Sequence, residues 1–154
     1  MNKFDFRSST YQITEDTLYI RAARKYNAVT EIEEIYQTRY TMQRSLKIID
    51  QACIQNGSTY TGRVNAAKQL LGIHYNPPIA IDPYRGIYAF ATLSPLDENC
   101  IWVITKNIID IKHNNKGSTI YYKNNKSLHI LMSKHQVDRL CAHLYKYLLI
   151  FRRD

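Results

Sequence analysis

The sequence predicts an α+β domain: an antiparallel sheet, two short central helices and a C-terminal helix. Three observations predict it. Apolar residues recur at helical spacing in three stretches, 46–56, 60–71 and from Ser133 to about Phe151. The other apolar runs are short, rich in β-branched and aromatic residues, and separated by Asn, Asp, Gly and Pro turns. No internal repeat interrupts them, and 154 residues with 45% apolar content suit one domain with a real core.

Residues 1–10 are expected as a loose arm. Residues 17–22 predict a strand and 31–40 a second, with Tyr26-Asn27-Ala28 as the turn between them. Ser45 is placed to cap a helix over 46–56, and Gly57 supplies a left-handed stop. Leu46, Ile49 and Cys53 share one face of it, Lys47 and Gln51 another. Ser58 or Thr59 caps a second helix over 60–71, closed by Gly72. Val64, Ala67 and Leu71 line its buried side, and Arg63 and Lys68 project elsewhere.

Asn76-Pro77-Pro78 forces an extended entry into a strand at 79–81. Asp82-Pro83-Tyr84-Arg85-Gly86 reads as a turn, 87–92 as the returning strand and 94–99 as a surface loop. Residues 100–105 and 108–112 predict strands, followed by a turn at Asn114-Asn115-Lys116-Gly117. A hairpin of 119–123 and 127–132 folds about Asn124-Asn125, residues that tolerate positive φ. Ser133 caps the last helix. Val137, Leu140, Cys141, Leu144, Leu148 and Phe151 would dock on the sheet, leaving Lys134, His135, Arg139, His143 and Lys146 in water.

Charge is segregated along the chain. Residues 39–72 hold five basic residues against one acidic, net +4, and 104–154 hold ten against three, net +7, in a chain of net +8. An anionic partner fits that distribution. Cys53, Cys100 and Cys141 lie far apart without a CxxC or Cys/His cluster, so buried reduced thiols are expected rather than disulfides or zinc. No window of about 18 apolar residues exists, and the N-terminus has no apolar h-region, so an intracellular protein without a transmembrane helix is expected. P-loop, GxGxxG, HExxH and GxSxG motifs are missing. His74, His113, His129, His135 and His143 are scattered, Asp82 belongs to a turn and Asp50 to a helix surface. Neither an enzyme nor a cofactor is expected.

Nucleic acid fits better. Arg39, Arg44, Lys47, Arg63 and Lys68 lie on or beside the two central helices, whose N-termini near Ser45 and Ser58 offer backbone donors to phosphates. Tyr60 stands beside Arg63 at a helix start. A second basic stretch, including Lys116, Lys123 and Lys126, falls on strand ends and turns.

The wording of the central stretch carries a resemblance. Lys47-Ile48-Ile49-Asp50-x-x-Cys53-x-x-x-Gly57-Ser58-x-Tyr60-x-Gly62-Arg63 resembles the central motif of the ComK family of competence transcription factors. Pro78-Ile79-x-Ile81-Asp82-Pro83, then Ile87-x-x-Phe90-x-Thr92-Leu93-Ser94 and Cys100-x-Trp102, resembles the family's next block in the same order. The resemblance is strong over about 45–112 and weaker on either side. It implies a cytoplasmic, nucleoid-associated activator of DNA-uptake genes. Such a protein binds paired A/T-rich boxes of double-stranded DNA, largely through the minor groove, as a homo-oligomer that contacts RNA polymerase. Arg63, where the Gly-Ser-x-Tyr-x-Gly-Arg turn ends, is the first choice for insertion into a groove, and its removal is expected to leave the fold intact.

Longer family members carry a C-terminal aromatic-Pro segment that resembles a docking site for the MecA adaptor and ClpC protease, whereas this sequence ends at Phe151-Arg152-Arg153-Asp154. That leaves MecA/ClpC as an open partner. Two rival readings stand beside the transcription factor. One is a protein-interaction module on a pleckstrin-homology-like partial barrel, suggested by the strand-hairpin-helix ending, or a modulator of a longer relative. The other is a basic protein without sequence preference.

Overall fold

The computed structural model describes residues 11–152. The arm expected over 1–10 lies outside the described residues.

Six strands, β1 (Thr17–Ala22), β2 (Thr30–Glu34), β3 (Thr38–Thr41), β4 (Ile79–Asp82), β5 (Ile87–Ala91) and β6 (Trp102–Ile104), form one antiparallel sheet. Its order is β3-β2-β1-β6-β5-β4. Strands β7 (Ile108–Asn114), β8 (Gly117–Tyr122) and β9 (Ser127–Ile130) form a second antiparallel sheet in chain order. Helices α1 (Ser45–Gln55) and α2 (Tyr60–Leu71) follow β3, and α3 (Lys134–Ile150) ends the fold. The α+β class holds. The sheets stay separate rather than closing into a barrel.

Register explains the core. Ile20 on β1 lies opposite both Ile32 on β2 and Trp102 on β6, and Trp102 lies opposite Ala91 on β5. With Ile48, Ile49, Ala52 and Cys53 of α1 they form one buried cluster, and Ala91 leaves room for the indole. The next register points the other way. Tyr19, Val103 and Phe90 meet Ile120, Tyr122, Leu128 and Ile130 of the second sheet and Val137 and Leu140 of α3. Both faces of the six-stranded sheet are therefore covered, which is why β4, β5 and β6 read as continuous buried runs instead of alternating ones.

Three local readings are corrected. Residues 31–40 form two strands, because the Glu34 amide donates to the Gln37 carbonyl at 2.8 Å and closes a tight turn with Tyr36 at its exposed tip. No Gly or Pro marks that turn. The cap of α1 is Arg44, whose side chain makes no cap hydrogen bond, since Ser45 is already helical. On α3 the buried stripe runs through Val137, Leu140 and Tyr147, with Leu144 and Phe151 partly covered. Cys141 and Leu148 face water. Tyr147 wins its place by packing on Tyr88 at a ring separation of 5.7 Å and stacking with Phe151 at 5.9 Å.

Other punctuation falls where expected. Thr59 Oγ1 accepts from the Gly62 amide, Gly72 closes α2 in the left-handed conformation, and Ser133 with Gln136 makes a capping box on α3. Asn124 and Asn125 take positive φ between β8 and β9.

Ile20 is fully buried between Ile32 and Trp102. Ile20→Ala should lower unfolding stability by about 2–5 kcal/mol in urea melts followed by Trp102 emission.

Candidate nucleic-acid interface

The middle of α1 and the N-terminus of α2 meet at one place. The Asp50 carboxylate of α1 accepts the Tyr60 amide at 2.8 Å, fixing where α2 begins. The Tyr60 ring stands edge-on to Trp102 with centroids 6.0 Å apart, so it is half-buried packing as well as the start of a helix. Between these elements and the 94–99 loop lies an open cavity of about 540 Å³. Arg44, Ser45 and Lys47 line it on one side, Asp50, Asp97 and Glu98 on others. Arg44 and Lys47 are exposed and make no ion pair among the described residues, but they share the cavity with three carboxylates.

The remaining basic residues of this half are held locally. The Arg39 guanidinium pairs with Glu34 at 2.8 Å, and the other oxygen of that carboxylate accepts the Tyr11 hydroxyl. Arg63 points back along the fold: Nη2 donates to the Asn56 carbonyl at 2.8 Å, and Nε is buried without a hydrogen-bond partner. Its charge lowers the pKa of the Cys53 thiol and of the Tyr147 hydroxyl against the larger, opposing effect of burial. Arg63 is therefore a brace in this structure, and its removal disturbs packing. Lys68 sits half-buried in the last turn of α2, where a cation suits the helix dipole. Ser58 lies in the connecting turn, its hydroxyl directed to the Thr59 carbonyl.

The second basic group divides. Lys126 pairs with Glu33 across the two sheets at 2.6 Å. Lys116, in the β7–β8 turn, and Lys123, just after β8, are exposed without ion pairs among the described residues. Lys112 joins them. It lies on the open face of β7 with Nζ 5.5 Å from the centre of the Tyr121 ring.

Thiol chemistry is subdued here. Burial pushes the Cys53 thiol up to about 11, against the opposing pull of Arg63, and burial also raises Cys100. Cys141 is exposed, contrary to the expectation of three buried thiols. Among the described residues no group of three or more His, Cys, Asp or Glu is placed to hold a metal ion. Also among them, no helix is long and apolar enough to cross a membrane.

A family model described as ComK protein matches residues 8–152. The chain belongs to the ComK family. This ComK-family chain is also 30% identical over 95 residues to a protein named competence transcription factor from Bacillus subtilis (strain 168). That match covers 61% of this chain and 50% of the relative, so it spans about half the relative's length. No solved structure matches.

Two outcomes follow from this geometry. Arg63→Ala should lower stability by about 1–3 kcal/mol in denaturant melts, since it deletes a charged donor to a backbone carbonyl and the packing around it. Iodoacetamide at about pH 8 should modify Cys141 faster than the other two thiols in the folded chain, although partial burial and Asp138 raise its pKa, while Cys53 and Cys100 react only after denaturation. Mass mapping of the labelled peptides checks it, and Cys141→Ser should abolish the fast reaction.

Proposed function

We propose that this chain is a DNA-binding transcription factor of competence that activates DNA-uptake genes through paired A/T-rich boxes, working on the nucleoid in the cytoplasm. The observation that carries this reading is the family match over 8–152, joined to the relative named competence transcription factor. Electrostatics supports it: Lys112 and Lys116 are exposed cations with no ion pair among the described residues, able to neutralise phosphates and release counterions, while Arg44, Lys47 and Lys123 are likewise unpaired there but line cavities that also hold carboxylates. Readout belongs to the minor groove, because A-tracts narrow it and concentrate the negative potential that attracts Lys and Arg. Self-association on the paired boxes and a contact with RNA polymerase complete the reading. Its work is binding, with no catalytic step.

A second reading, a protein-interaction module, is favoured by one observation: Tyr145, Leu148 and Leu149 of α3 are half or more exposed. Fluorescence anisotropy separates the two. Two labelled duplexes of equal composition are compared at about 150 mM salt, one with two A/T boxes a helical turn apart and one scrambled. Nonspecific affinities there are of order 10⁻⁴–10⁻⁶ M. A preference of about a hundredfold or more for the boxed duplex is expected. Equal, salt-sensitive binding would remove the sequence-selective reading.

A further inference from the structure

The β7–β8 hairpin has a construction that ordinary surface turns lack. Its tip is Asn115-Lys116, between Asn114 and Gly117, which face each other as the last ladder pair. Every neighbour of the tip is tied down. The Ser118 hydroxyl donates to the Met132 carbonyl at 2.7 Å and meets His113 Nδ1 at 2.8 Å. His129 reaches the Lys116 carbonyl through Nε2 at 3.2 Å and Thr119 Oγ1 through Nδ1 at 3.2 Å. The Lys116 amide donates to Asn114 Oδ1 at 2.8 Å. Gly117, at φ +132°, is pressed so close to the Ile130 carbonyl that an added Cβ would stand 2.3 Å from it. The backbone of the tip is fixed from three strands, while the side chains of Asn115 and Lys116 stand in solvent.

The surroundings are basic. Lys112 lies on the open face of β7; Lys123, beyond the far end of β8 and about 20 Å from the tip at strand rise, shares a cavity with Glu15 and Asp16 and stands apart from the tip. From residue 104 to the last described one, the only carboxylates are Asp110 and Asp138, and Asp138 is paired with Lys134 at 2.6 Å. The Arg44–Lys47 site differs here, because Asp50, Asp97 and Glu98 share its cavity and repel a phosphate chain.

We propose that the β7–β8 tip, Asn115-Lys116, is the element this protein inserts into a groove of A/T-rich duplex DNA, with Lys112 on a flanking phosphate. The inference rests on the DNA-binding reading above. The ribbon itself is wider than a minor groove of about 6 Å, but the Asn115 and Lys116 side chains at its tip can enter one, and Asn and Lys read the acceptor-lined edges of A·T pairs there. Because the tip is rigid before binding, little ordering entropy opposes its insertion.

The experiment uses the full chain and the boxed and scrambled duplexes. Asn115 and Lys116 have no positive φ to preserve, so Asn115→Ala with Lys116→Ala should fold like the parent, checked by melting temperature. This pair should lose about tenfold or more of the affinity for the boxed duplex and much less for the scrambled one. Lys116→Ala alone should reduce the salt slope by about one. Arg44→Ala with Lys47→Ala should leave the box preference in place. The proposal is overturned if the tip pair retains the parent's preference, above all if the Arg44 and Lys47 pair abolishes it; the DNA-binding reading then survives with another surface. A parent chain without box preference would sink both.

Discussion

The fold depends on a short seam. Strand β1 meets β6 at two residue pairs, Tyr19 with Val103 and Ile20 with Trp102, and nothing else in the six-stranded sheet joins β1, β2 and β3 to β4, β5 and β6. Bringing such distant segments together has a loop-closure cost that grows only slowly with length. Hydrophobic burial offsets it on both faces at once, with Ile20 and Trp102 under the α1–α2 layer and Tyr19 and Val103 under the second sheet. Long-range polar contacts reinforce the closure. Tyr122 donates its hydroxyl to the Leu18 carbonyl, Asn107 reaches the Glu15 carbonyl, and Asn124 reaches that of Ile35. The late part of the chain thus clamps the first two strands.

That clamp explains which cations remain free. Lys126 is drawn onto Glu33, 93 positions earlier, because β9 must lie against the β2 end of the large sheet. Arg39 is drawn onto Glu34 across the β2–β3 turn. Arg63 is drawn onto the Asn56 carbonyl at the end of α1. Each is basic in composition and spent in structure. Among the described residues, the cations best left to attract an anion are Lys112 and Lys116 on the second sheet, since Arg44 and Lys47 at the start of α1 share their cavity with Asp50, Asp97 and Glu98.

Much of the architecture was legible because its signals are local. Gly72, Thr59, Ser133 with Gln136, Asn124-Asn125 and the Pro77-Pro78 break each act within a few residues of themselves. Failures occurred where a distant partner decided. Tyr147 displaced Leu148 from the buried stripe of α3 because Tyr88 waits on β5, and the same rotation exposed Cys141. The candidate site was legible as a list of basic residues and not as a surface. Periodicity can place Arg63 on a helix, but it cannot reveal that its Nη2 donates to the Asn56 carbonyl and that its Nε is buried. The central motif string identified the family correctly without showing that its most conspicuous arginine also braces the turn between the two helices.

The motif string itself now has a physical account. Asp50 holds the first amide of α2, Gly57 turns the chain, Gly62 lets the Ser58 hydroxyl lie against the first turn of the helix, and Arg63 ties α2 to the end of α1. An added Cβ at Gly62 would stand 2.4 Å from that hydroxyl oxygen. These residues build a rigid elbow between two helices that shields one face of the sheet. Stiffness on that side allows the opposite layer, three strands with one uncovered face, to stand as a fixed platform. A recognition element needs such backing more than it needs many charges, because a charge on a wandering side chain yields little once its ordering is counted, whereas a cation on a braced turn meets its phosphate or base edge at nearly the distance set by folding.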